Sequence, residues 1–246
     1  MEFEFEDYSD ISFEINNNKL FFSTFTIYSI LYFLAYTNLS FSEAITPINF
    51  INKGHYYSHQ LVAYYMSTIY SFITSSCGVL FVCGLLSLEN IRSVYYFSFG
   101  YLLADIIYII LVSKLTKSYK KYIIIILHHI VMMFIFFEYC FIEDDDTFLR
   151  NYFVSLILIA NYTNLIINIC WYIKNTNHNY IDSEFYKLIH KILLITYFCT
   201  RIINLLYICF QLRLYHMIFE YICVMSVVIL NSYWFYKLYI NNKNKF

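Results

Sequence analysis

One proline and four glycines stand among the 246 residues, and only 13% of the residues are charged. With Pro47 the sole proline, no predicted span carries a proline kink. So few charges exclude an ordinary soluble domain, whose surface needs about 25% Asp, Glu, Lys and Arg. No C-x-x-C pair occurs among the seven cysteines, which lie in or beside apolar runs, so they read as small core residues and not as a disulfide framework or zinc site. The net charge of −1 and the lack of a basic cluster beyond one short loop exclude nucleic acid as a partner. No repeat period, low-complexity linker or soluble domain is visible. The first twenty residues, MEFEFEDYSDISFEINNNKL, are acidic where a signal peptide begins basic. The first helix is therefore expected to be retained.

What the chain does have is apolar length. It is 60% hydrophobic, and apolar stretches of about twenty residues recur along it, each able to cross about 30 Å of hydrocarbon as a helix. Seven spans follow: about 20–39, 61–86, 95–114, 122–142, 151–173, 187–211 and 214–240. No alternating pattern of barrel type is present, and lipid leaves no partner for an open sheet edge, so the expected fold is an all-α polytopic transmembrane bundle. The chain divides into an acidic segment 1–19, a first helix and loop 20–55, a transmembrane domain 56–241 and a tail 242–246.

Orientation follows from lysine and arginine. The loop SKLTKSYKK holds Lys114, Lys117, Lys120 and Lys121, whereas FIEDDDTFLR holds only Arg150. The positive-inside rule places the first in the cytoplasm, the amino terminus outside or lumenal, and the tail in the cytoplasm.

Ionisable groups inside spans are costly and mark candidate sites. They are Asp105, His128, His129, Arg201 and Glu220, with Asn161, Asn164, Asn168 and Asn231 as uncharged partners. His128 and His129 fall about seven residues into span four, roughly 10 Å below the cytoplasmic interface. An imidazole serves as acid or base near neutral pH, and it serves equally as an interhelical hydrogen-bonding group. Zinc is disfavoured, since no H-E-x-x-H or other ligand spacing accompanies the pair. Asp105 must be protonated or paired, with Arg201 or a histidine as partner, and an Asp105–Arg201 brace between two helices is the simplest arrangement. Glu220, close to the outer end of span seven, reads as structural.

GYLLADIIYIILVSK, a short basic loop, LHHIVMM and LNSYWFYKLY, in that order, resemble the TLC-domain family, which includes the ceramide synthases and the TRAM proteins. The resemblance covers roughly 56–241. It implies a helical, ER-type membrane domain that handles lipid, with a lumenal amino terminus, no cofactor, and membrane lipids as partners. In the synthases the double histidine serves acyl transfer from acyl-CoA to a sphingoid amine, and an Asp-x-x-Asp pair follows. Here IANYTNLIINICW has Asn161 and Asn164 in those places, and an asparagine neither takes up a proton nor balances an imidazolium. The stretch also resembles the Glu-x-Ser-Thr-Pro-Phe-x-Asn-x-x-Trp segment of the non-synthase members at Thr163, Asn168 and Trp171. The resemblance thus points first to lipid handling or membrane lipid homeostasis, with His128, His129, Asp105, Asn161, Asn164 and Arg201 at the polar site. An acyltransferase of ceramide-synthase type is the alternative. A seven-helix receptor fits the span count, but span three ends LVSKLTK without an Asp-Arg-Tyr triplet, and no proline kinks spans five to seven.

Overall fold

The computed structural model describes residues 8–37, 55–116, 119–141, 147–176, 183–215 and 217–242. The Pro47 loop, the acidic run 142–146, the tail from 243 and the side chains of the basic loop lie outside the described residues. Every regular element described is helical: α1 (Tyr8–Thr37), α2 (His55–Val82), α3 (Leu88–Thr116), α4 (Tyr119–Phe141), α5 (Thr147–Ile159), α6 (Tyr162–Thr176), α7 (Glu184–Tyr197), a π-helical turn (Phe198–Ile203), α8 (Asn204–Leu214) and α9 (Ile218–Asn242). Since α5 continues into α6, and α7 into α8, these elements form seven rods. Five rods are long and apolar enough to cross a membrane, and Tyr122–Phe137 of α4 is a shorter apolar stretch. The chain is an all-α, multi-pass integral membrane protein. Helices satisfy every backbone group within one segment, which hydrocarbon demands.

Helix limits follow local chemistry. The Ser183 hydroxyl accepts from the Tyr186 N–H and caps α7, and the Ser87 hydroxyl accepts from Asn90 N–H at the start of α3. At the end of α2, Gly84 takes φ +72°. Its N–H bonds to Phe81 O at 2.9 Å and that of Leu85 to Leu80 O at 2.8 Å, a Schellman closure that a residue with a Cβ would enter only under strain.

Three packings place the polar groups. The first is α1 against α3, running in the same direction: Phe21 meets Phe99, Tyr28 meets Tyr101, and Tyr32 stacks on Tyr108 at 4.2 Å. They come closest at Gly100, where a Cβ would lie 2.9 Å from Phe21 O. The second is the antiparallel pair α3 and α4, with Tyr95 stacked on Phe136. The third is α2 against α5 and α6, where a Cβ on Gly78 would lie 2.7 Å from Ser155 O.

Two boundaries differ from expectation. Helix α1 begins at Tyr8, so residues 8–19 continue the first helix. Helix α4 begins at Tyr119, so Lys120 and Lys121 are helical, and its apolar stretch starts at Tyr122. His128 is nine residues past Tyr119 and His129 twelve short of Phe141, near the middle of the helix.

Candidate functional site

Polar groups gather in two clusters near the middle of the rods. The first is centred on Asp105 of α3, only 6% exposed. The Tyr32 hydroxyl donates to Asp105 Oδ1 at 2.7 Å, and His129 Nδ1 lies 3.2 Å from Asp105 Oδ2. The imidazole contact is an electrostatic approach and not a formed hydrogen bond. Rings wall this cluster off: Tyr70 stacks on Tyr101 at 3.9 Å, and Tyr28 meets Tyr101 edge-on at 5.0 Å. Successive helical side chains diverge by about 100°, so the two histidines address different neighbours. His129 faces α3, and His128 sets its ring edge-on to Trp234 of α9 at 5.4 Å. The His128 Nδ1 atom is buried without a hydrogen-bond partner.

The second cluster is centred on Arg201, 7% exposed, in the π-helical turn. Its Nη2 donates to Asn164 Oδ1 at 2.5 Å, and its Nη1 to Asn231 Oδ1 at 3.0 Å. Its Nε donates to Thr163 Oγ1 and to Ala160 O. Tyr197 supports the guanidinium from its ring face at 5.3 Å and donates its hydroxyl to Asn231 Oδ1 at 2.9 Å. A guanidinium is always charged, and here four neutral acceptors on α6, α9 and the α5–α6 junction surround it.

That junction explains the site's position. Between α5 and α6 the Ala160 N–H bonds to Ile157 O and the Asn161 N–H to Leu158 O, three residues back and not four. Leu156 O loses its helical donor and accepts from Asn204 Nδ2 at 2.7 Å, while Ala160 O accepts from Arg201. Arg201 lies within the π-helical turn of α7–α8 and Asn204 directly follows it, so an overwound junction in one rod faces an underwound turn in the next.

Asn161 and Asn164 belong to a ladder between α2 and α6. Asn161 Nδ2 donates to Thr74 Oγ1 at 3.0 Å, Asn164 Nδ2 to Ser71 Oγ at 3.1 Å, and Asn168 Nδ2 to Thr68 Oγ1 at 2.8 Å. Tyr64 meets Trp171 at 4.3 Å at its end. Interhelical amide and hydroxyl bonds of this kind hold membrane helices together.

The structure thus brings Asp105 and His129 together, sets His128 against Trp234, and separates Arg201 from Asp105: the aspartate's ionisable neighbour across the helices is the imidazole and not the guanidinium. Asn161 and Asn164 serve the ladder, and Asn164 also serves Arg201. Tyr32 was not legible as a site residue, because 28 tyrosines are spread along the chain. Glu220 pairs loosely with Arg150 at 3.8 Å, away from both clusters in sequence and at the opening turn of α9. Among the described residues, no three His, Cys, Asp or Glu side chains stand together as a metal site requires. Compared with protein-family models, curated proteins and solved structures, the chain matches none of them.

Proposed function

We propose that this multi-pass membrane protein handles lipid, in the manner of the non-synthase TLC-domain proteins it resembles, in the endoplasmic reticulum with its amino terminus lumenal. The observation that supports this reading is the meeting of a carboxylate, an imidazole and a phenol, Asp105, His129 and Tyr32, in an aromatic enclosure at mid-helix. Ionisable groups at that depth are retained for function more than for stability, since each costs about 2.5–3.5 kcal/mol or less to insert. In this reading His128 and Trp234 extend the polar end toward α9. Membrane lipids are the partners.

A second reading, N-acyl transfer from acyl-CoA to a sphingoid amine, is favoured by one contact. Asp105 beside His129 supplies the acid that Asn161 and Asn164 do not. In that reaction the amine nitrogen attacks the thioester carbonyl, His129 takes the amine proton, and the C–S bond breaks to release the coenzyme thiolate, which takes up the proton. Asp105 would steady the imidazolium.

Lipid profiles of a deletion strain, with the wild-type gene or the His128→Ala, His129→Ala double variant restored, test both. An altered profile rescued by the wild type alone supports a working site at the histidines. Full rescue by the double variant sinks the acyl-transfer reading, and an unaltered profile in the deletion strain sinks lipid handling.

A further inference from the structure

An apolar cleft of about 410 Å³ separates α1 from α3, walled in part by Phe25, Ile30, Phe33, Ala104, Ile107 and Leu111. Its volume falls among those of small-molecule sites, about 300–1,000 Å³. The helix pair makes the cleft inevitable. At Gly100 the backbones nearly touch, with the Cβ position 3.1 Å from Phe25 N. About two turns further on, the stacked Tyr32 and Tyr108 hold the helices apart, and Ala104 is too small to fill the gap.

The lips identify the occupant. Ile30, Phe33 and Ile107 are 53%, 60% and 42% exposed, so in a membrane the mouth opens sideways to hydrocarbon. The lining is hydrocarbon apart from the Ser29 hydroxyl and the phenols of Tyr32 and Tyr108, and the Tyr32 hydroxyl is already given to Asp105, so the cleft favours an apolar occupant over water, which needs two to four polar partners. From Ala104 to Leu111 the cleft runs about 10 Å along α3, within the roughly 15 Å of one leaflet's hydrocarbon. Its inner end is bounded by Tyr32, whose hydroxyl holds Asp105.

We propose that this cleft seats one alkyl chain of a long-chain lipid, drawn sideways from the bilayer between α1 and α3, with the chain's tip against Tyr32. The seat deepens the lipid-handling reading and rests on it for its purpose: it brings a chain within one side chain of Asp105 and His129. Helix α1 is then one wall of the binding site and not only an anchor.

The test uses the full-length protein in phosphatidylcholine nanodiscs with palmitic acid carrying a diazirine at its terminal carbon. Photolabelling is expected on the buried lining where the tip lies, at Tyr32, Ala104 and Tyr108, saturating with probe and displaced by unlabelled palmitic acid. Ala104→Leu, which fills the inner end, is expected to weaken that labelling about tenfold, equivalent to ~1.4 kcal/mol. Should that variant fail to fold, Ile107→Trp at the exposed lip carries the same expectation. Labelling of Ile229 on α9, 65% exposed, is expected to rise without saturation and to ignore both substitutions. If α1 and α3 label like Ile229, the lipid there is annular and the proposal is overturned. Labelling reads binding alone: a saturable seat in a protein whose deletion leaves the lipid profile unaltered overturns lipid handling and not the seat, and an unsaturable cleft with an altered profile does the reverse.

Discussion

Replacing Arg201 by methionine separates the guanidinium's two energetic roles. Four contacts disappear: those to Ala160 O, Thr163 Oγ1, Asn164 Oδ1 and Asn231 Oδ1. Interhelical polar contacts in a membrane average about 0.6 kcal/mol, so the four come to about 2.4 kcal/mol. Two acceptors keep another donor, since Asn231 Oδ1 still takes the Tyr197 hydroxyl and Ala160 O the Thr163 hydroxyl. Asn164 Oδ1 and Thr163 Oγ1 lose their donor, but both residues stay hydrogen-bonded as donors, to Ser71 Oγ and Ala160 O, which keeps the loss near that figure. Insertion moves the opposite way, because a central arginine opposes it by about 2.5–3.5 kcal/mol. Arg201→Met is therefore expected to enter the membrane more readily and to unfold more easily once there. Arg201→Lys keeps the charge but not the planar fork and is expected to lose about half as much as methionine. Unfolding in mixed micelles by added sodium dodecyl sulfate measures the loss, and a glycosylation reporter after α8 measures insertion. An unfolding free energy for Arg201→Met within about 0.5 kcal/mol of wild type would refute the bracing role, since a contribution so small is below that expected of a single interhelical bond.

Further outcomes concern the packing. Gly78→Ala is expected to cost about 1–3 kcal/mol because its Cβ meets Ser155 backbone, whereas Gly84→Ala, with open space around it, loses only the roughly 1–2 kcal/mol of a left-handed conformation; thermal midpoints of the purified variants compare them. Asn164→Asp puts a carboxylate against Arg201 and is expected to be tolerated, whereas Asn161→Asp loses its donor to Thr74 and gains an unpaired charge, so folded yield after detergent extraction should fall for the second and not the first. Tyr32→Phe removes the hydroxyl from Asp105 and is expected to destabilise by about 1.5–3 kcal/mol, read in the same unfolding assay, if the carboxylate is ionised.

Five of the seven rods were legible because each is apolar over a crossing length, and length is what a sequence displays best. The site was legible only as a set of residue types. Asp105, His128, His129 and Arg201 stand out because charge inside an apolar run is rare, but which of them meet depends on helix rotation, which composition does not encode. Asn161, Asn164 and Asn168 carried a readable signal: spaced three and four apart, they share one face, and Thr68, Ser71 and Thr74, each three apart, share a face of α2. The junction at Ala160 and the π-helical turn had no local mark, since neither proline nor glycine occurs in either. Their cause lies in the packing of one rod on the other.

That pairing bears on how the protein is made. Alone in hydrocarbon, the rod α5–α6 presents Leu156 O without its helical donor, and an unsatisfied group there costs several kcal/mol. Its donor is Asn204, synthesised 48 residues later, and Arg201, which donates to Ala160 O, follows that residue by 41. Arg201 in turn finds its acceptors only on segments already made and on α9, which follows. Fifth and sixth rods are thus incomplete as separate passengers of the insertion machinery, and the unit that leaves it is the pair, closed when the seventh arrives with Asn231.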